Sequence, residues 1–301
     1  MPARPPLYRW LIPSLLAAPM LAAMELTGHR DLLVPPALAL AFGAWVIHRP
    51  DWTSSRWKLV AVPTLTSAIG VAGAWAPVPR WLAVAGVVTA ALLLLQVACC
   101  RVGPAVAVAV LPVVFGIRGI EYVVAVAMLA ATVAVVCPAD GREPGRWPWR
   151  RLAAFWAAAV TWTVFALGVL RLPLLVTAPP MFVATLDFTI ASRRPALRVV
   201  VRRCVLLAGA AMIGAACLRY VPDDVAGGTL AVAAAGMLAA VFGEPLAPAY
   251  ALSLVPFVAE IDDPVRAGFD IALAAVALHL IAAVALSAGR ERGRPGRVGP
   301  A

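Results

Sequence analysis

Asp187 stands in the apolar stretch VATLDFTIASRR, with Thr185 and Thr189 two residues to either side. A carboxylate inside a membrane span is costly, so it points to a proton relay, a cation site or the lining of a solute path. The alternative is an interfacial carboxylate paired with Arg193 or Arg194 a turn or two later. His279 is the one histidine deep in an apolar run and reads as a bundle histidine rather than a proton carrier. Arg171 and Arg118 flank the outer ends of apolar runs, where they would draw anions into a vestibule or snorkel as anchors. Glu260, Asp262, Asp263 and Asp270 crowd one stretch and read as a solvated acidic loop. No His-Glu-x-x-His, nucleophile elbow, phosphate loop or CxxC pair occurs, and no two polar groups pair as an intramembrane catalyst requires. The reading is a non-enzyme without cofactor or metal.

A second constellation is made of prolines. In LLVPPALALAFGAWVIHRP, residues 32–50, the apolar run is shorter than the ~20 residues a spanning helix needs, and Pro35 and Pro36 open it. Proline fits the first turn of a helix and pushes the preceding residue into an extended conformation. An extended lead followed by a helix lets a short segment reach across the bilayer. Such a lead is tolerated only inside protein or beside a water-filled cavity. The same pattern precedes Pro104, Pro180 and Pro248, so four helix starts would present N–H groups and partial positive charge to a small anion. The candidate substrate-binding set is Pro36, Ala37, Pro104, Ala105, Pro180, Met181, Pro248 and Ala249, with Asp187, Thr185 and Arg171.

The elements that must position these residues are membrane segments. Of the 301 residues 63% are hydrophobic and 13% charged, and the mean hydropathy is +0.91. Those values exclude a soluble globular domain. Twelve apolar stretches can be marked, at 10–25, 32–47, 59–77, 81–100, 102–117, 121–137, 152–170, 172–191, 199–218, 225–243, 245–258 and 268–288. If all cross, 19 of the 25 basic residues fall on one side, which places both termini in the cytoplasm of a cell with its plasma (inner) membrane as the host. Treating the second, fifth, eighth and eleventh stretches as re-entrant abolishes the bias. The net charge of +10 is thus explained by orientation, without a nucleic-acid partner. Cys99, Cys100, Cys137, Cys204 and Cys217 show no metal spacing and read as small buried residues. Tryptophans 10, 45, 52, 57, 75, 81, 147 and 149 fall at segment ends and read as headgroup anchors. Residues 1–23 imitate a signal peptide but read as the first span.

The chain also repeats. An offset of 144 residues pairs Pro35 with Pro179, Pro36 with Pro180, Arg49 with Arg193, Gly70 with Gly214, Pro104 with Pro248 and Pro112 with Pro256. A weaker offset of 68 pairs Pro36-Ala37 with Pro104-Ala105. The expected architecture is all-α: two tandem six-segment repeats, 1–140 and 141–288, each a nested inverted pair of three segments, then a basic disordered tail, 289–301. The tail would be attracted to anionic lipid.

The pieces LLVPPALALAFGAWVIHRPDW, LVAVPTLTSAIGV and VGPAVAVAVLPVVFG, with APPMFVATLDFTIASRRP and PLAPAYALSLVPFV, resemble the HPP family of integral membrane proteins, some of them associated with nitrite transport. The family's His before the double proline is replaced by Val34 in one copy and Ala178 in the other, so no role of that His carries over. A second stretch, ASRRPALRVVVRRCVLLAGAAMIGAAC, is similar to aromatic acid exporters of the fusaric acid resistance type, without their soluble domains. The expectation is a transporter or channel-like permease whose partners are the lipid bilayer, a small anionic solute (nitrite-like or a small organic acid) and a second copy in a homo-oligomer. The alternative is a non-transporting membrane scaffold or partner-binding subunit.

Overall fold

The computed structural model describes residues 6–29, 32–49, 52, 55–137, 146–172, 178–191 and 197–291. All regular structure among them is helical. A 3-10 turn at Leu7–Leu11 leads into α1 (Ser14–Thr27). There follow α2 (Pro35–Ala41), extended by a π turn at Phe42–Val46, α3 (Arg56–Trp75), α4 (Arg80–Val97), α5 (Pro104–Phe115) and α6 (Ile120–Val136). The rest are α7 (Trp149–Thr163), extended by a π turn at Val164–Val169, α8 (Pro179–Ala191), α9 (Leu197–Tyr220), α10 (Asp224–Phe242), α11 (Ala247–Ala259) and α12 (Pro264–Glu291).

Seven helical stretches are long and apolar enough to cross a bilayer: Leu7–Thr27, Arg56–Trp75, Arg80–Val97, Trp149–Val169, Leu197–Tyr220, Asp224–Phe242 and Pro264–Leu286. The chain is built as an all-helical membrane protein. Four helices with proline in their first turn, α2, α5, α8 and α11, are shorter, whereas α12, opened by Pro264, is the longest. Pro35–Val46 and Pro104–Phe115 cover about 18 Å of a ~30 Å hydrocarbon core at 1.5 Å per residue. The last helix outruns its expected end at residue 288, because Arg290 and Glu291 favour helix and no proline intervenes before Pro295. Residues 292–301 of the expected tail and 138–145 of the linker lie outside the described residues.

The short helices occupy the interior. α2 packs on α11, α11 on α8, α8 on α5 and α5 on α2, which closes a ring. Every residue of α2 is buried, as are Pro104–Val114 of α5 and Ala247–Phe257 of α11. The longer helices surround this ring. α3 lies against α4, α5 and α6, and α9 against α10, α11 and α12. α1 leans on α10, and α7 on α4. Between helices in lipid the attraction is close van der Waals contact, so small residues set the seams. Gly70 of α3 meets the backbone carbonyl of Ala109 on α5, and Gly214 of α9 meets that of Ser253 on α11, with no room for a Cβ at either.

Prolines inside the helices leave carbonyls that need donors. Pro112 has no N–H to give to Val108, and the Tyr122 hydroxyl of α6 donates to that carbonyl instead, at 2.8 Å. The tryptophans divide. Trp57, Trp75 and Trp149 are exposed, as anchors should be, but Trp10, Trp52 and Trp147 are buried in protein. Trp10 packs beside Phe42, whose ring in turn packs on Tyr250, and Trp147 is held by Gln96, whose amide exchanges two hydrogen bonds with its backbone.

Gly70→Ala and Gly214→Ala force a methyl group into a backbone carbonyl, and each is expected to destabilise the protein by about 1–3 kcal/mol despite alanine's better helix propensity. Gly86→Ala, where a Cβ meets nothing within 4 Å, is expected to be neutral or stabilising. Melting temperatures of the purified proteins in one detergent check this; equal melting of all three variants would contradict the close-seam account.

Candidate functional site

The starts of the short helices differ in detail. Leu246, two residues before Pro248, is extended (φ −103°, ψ 92°), Val34 is non-helical (φ −112°, ψ 79°), and Gly103 is already helical (φ −54°, ψ −43°), so the extended residue expected immediately before Pro104 is corrected. These leads are buried in protein, Val34, Val102, Ala178 and Leu246 all being at most 2% exposed. The N–H of Ala37 donates to Val34 O at 2.9 Å, Ala105 to Val102 O at 3.1 Å, Met181 to Ala178 O at 2.9 Å and Ala249 to Leu246 O at 3.1 Å. The expectation of free N–H groups at these four residues is therefore corrected: each closes a turn around its proline. Pro36, Ala37, Pro104 and Ala105 come together with Val34 and Leu40 around a cavity of about 10 Å³, whose wall is almost wholly apolar. That is room for about one water, without the polar partners a water needs. The interior here is dry.

Asp187 and Thr185 lie on α8. The Thr185 hydroxyl is turned back onto the Met181 carbonyl at 2.9 Å, which satisfies it within the helix. Asp187 is an ion-pair partner of Arg49, from the loop after α2. Arg49 Nη1 donates to Oδ1 at 3.0 Å and Nη2 to Oδ2 at 3.2 Å, a two-pronged bond that fixes orientation as well as distance. The Asp187 side chain is 14% exposed and that of Arg49 30%. The Arg49 guanidinium also sits 4.9 Å over the Trp52 ring. Trp52 lies against Gly43, where a Cβ would overlap its ring. Residues 43 and 187 correspond under the 144 offset, so one loop reads both: Trp52 covers the glycine and Arg49 takes the carboxylate. Arg193 and Arg194, the partners expected for Asp187, lie outside the described residues. The sequence signal for Arg49 was present in its pairing with Arg193, but not its partner.

Arg171 is not brought to this region. It is exposed after the π turn of α7, at φ +50°, and has no hydrogen-bond or ion-pair partner among the described residues. Arg118 is a clamp: its Nε donates to Ala74 O at 3.1 Å and its guanidinium lies 5.1 Å over Trp75, joining the end of α3 to the α5–α6 turn.

Of two ionisable groups on α12, Asp270 departs from the expectation and His279 lies buried in the bundle as expected. Asp270 is not in a solvated loop but inside α12 and only 6% exposed, because Pro264 starts that helix early and Ala267, Ala274 and Leu278 continue the buried stripe. Its spacing four residues after Arg266 was the signal available. His279 is buried beside Phe188, at 4.7 Å between ring centroids. The pair Arg203–Glu244, 3.4 Å apart, closes the same end of α9 against the α10–α11 turn.

These features define a class: an all-helical membrane protein with a ring of short, proline-led helices inside a jacket of longer ones. No protein-family model matches the chain, and neither a curated protein nor a solved structure matches it.

Arg49→Gln or Asp187→Asn leaves a half-buried charge without its partner. In a double-mutant cycle on thermal or denaturant stability the two positions are expected to be coupled by about 1–2 kcal/mol. Additive effects would show that the pair contributes no mutual stabilisation.

Proposed function

We propose that the protein is a permease for a small anion, nitrite-like or a small organic acid, and that the arrangement described above is its occluded state. Its twelve helices form a duplicated six-helix unit, each half made of two inverted groups of three, with all twelve segments crossing and both termini in the cytoplasm. Element bounds support the duplication: α4 starts at Arg80 and α10 at Asp224, α6 at Ile120 and α12 at Pro264, and the seams at Gly70 and Gly214 recur at the same offset. The observation that carries the transport reading is the ring of short helices, α2, α5, α8 and α11, at the centre of the bundle. Broken or short segments at membrane depth are how secondary transporters frame a site between repeats. On this reading a solute enters when the ring opens at Pro36, Pro104, Pro180 and Pro248, and the Arg49–Asp187 pair latches α8 to the loop after α2 while the ring is closed.

A second reading, a membrane scaffold or partner-binding subunit, is favoured by one observation. Ala37 is 4% exposed, and Ala105, Met181 and Ala249 are fully buried, as a permanently dry core would be.

Single cysteines at Ala37, Ala105, Met181 and Ala249, in a protein freed of its five native cysteines, separate the two. Exposed in turn to a membrane-impermeant thiol reagent from each side, a permease is expected to label at one or more of the four, with nitrite or a small carboxylate slowing the reaction. Protection of all four from both sides, together with no nitrite or formate uptake by proteoliposomes, would replace the permease with the scaffold.

A further inference from the structure

We propose that α12 carries protons, with Asp270 and His279 as two proton-holding sites toward opposite ends of its membrane span, and that their protonation is coupled to anion passage. The coupling rests on the permease reading; the proton sites do not.

Both groups lie within the span Pro264–Leu286, nine residues apart, a rise of about 13 Å. They sit on opposite edges of the one buried stripe of α12, and Ala267, Ile271, Ala274, Ala275 and Leu278 fill the space between them. Each keeps one buried polar atom that no hydrogen bond among the described residues takes up. Oδ2 of Asp270 accepts no hydrogen bond among the described residues, and its nearest cation, Arg266, is 3.9 Å away and 61% exposed. His279 is 1% exposed, and its Nδ1 lies 2.7 Å from the Ala275 carbonyl. A carbonyl only accepts, so Nδ1 holds the hydrogen and Nε2 carries the free lone pair. That Nε2 is buried without a partner among the described residues. Native proteins leave few such groups orphaned, and an ionisable group in a span is costly to keep.

At Asp270 the sequence 144 residues earlier shows that packing alone does not demand a carboxylate. Under the 144 offset Asp270 stands where the first half has Val126, and His279 where it has Val135. Val126 is as buried as Asp270, so an apolar residue fills that place in the first half. The charged surroundings are sparse. Among the described residues Arg266 of α12 acts on Asp270 and Arg203 of α9 on His279, while α8 presents the Phe188 ring to the imidazole. In each case a proton adds to a lone pair, on the Asp270 carboxylate or on His279 Nε2, from water admitted when the helices part, and returns from the same atom to water on the other side.

The test uses the full-length protein in liposomes, by infrared difference spectroscopy as the pH is lowered from mildly alkaline to strongly acidic. The parent is expected to gain a protonated-carboxyl band that is absent in Asp270→Asn and in Asp270→Val, and imidazolium bands absent in His279→Gln. The valine variant guards against a folding defect, since valine is the residue of the first half. In parallel, an inward nitrite gradient is imposed and lumenal pH followed against protein-free vesicles; acidification by the parent should fall to the protein-free level in D270N and H279Q. If neither band titrates in the parent, or if the variants' spectra match the parent's, the proton sites are overturned. If both bands titrate but nitrite moves in no preparation, the sites stand and the permease reading falls with the coupling. If nitrite moves equally in parent and variants, the coupling alone is overturned.

Discussion

The backbone hydrogen bonds of four helices too short to span a bilayer set the terms for the rest of the molecule. A lead of non-helical chain at membrane depth has polar groups that lipid cannot satisfy, so it must be enclosed by protein. The leads at Val34, Val102, Ala178 and Leu246 are enclosed, and each carbonyl receives the N–H of the residue three further on. Proline serves this twice: it sets the first helical turn and removes a donor that would otherwise be orphaned. Enclosure in turn requires a jacket, which the longer helices supply, and glycine admits a neighbouring backbone at its closest seams, as at Gly70 and Gly214.

Positions 144 residues apart in the sequence carry different chemistry, and the charged members lie late in the chain. Gly43 accepts the Trp52 ring, whereas its counterpart Asp187 accepts the Arg49 guanidinium. At the same spacing Val126 and Val135 correspond in sequence to Asp270 and His279, and Cys100 to Glu244, which holds Arg203. The charged groups of the interior are thus mostly on α8, α9 and α12, while the ring beside α2 and α5 is apolar. The pair of Arg49 and Asp187 joins the loop after α2 to α8. A charge pair of this kind stabilises modestly, but it specifies geometry, since a two-pronged bond tolerates little rotation.

The wall between α2 and α5, sealed by alanine, valine and proline, is compatible with movement in a way that the Phe42–Tyr250 ring packing between α2 and α11 is not. Small side chains give smooth helix faces, and attraction between them in lipid is short-ranged and weakly directional. The proposed permease relies on this: opening the ring requires α2 and α5 to part along a cavity wall that makes almost no polar contacts. The polar side chains nearby are already satisfied by their own helices, as with Thr185, Thr189 and Ser253, so they neither hold the ring shut nor line a wet path while it is closed.

Much of the fold was legible in the residue order. Apolar runs marked the helices to within a few residues, because the cost of exposing backbone in lipid leaves helix as the only local solution for them. Proline positions marked the starts of the short helices, because proline constrains its own and the preceding residue's backbone. What tertiary structure alone decided was partnership. Arg49 and Asp187 are separated by 138 residues, and no local rule chooses Arg49 over Arg193 or Arg194. Asp270 looked solvated in a run of acidic residues, yet the start of α12 at Pro264 turns it into the bundle. Trp10, Trp52 and Trp147 looked like interfacial anchors and became core, since only the folded chain brings Phe42, Gly43 and Gln96 to meet them. Local energetics act over a turn or two of helix and can be read from sequence, whereas the pairing of distant charges and rings depends on how whole helices pack.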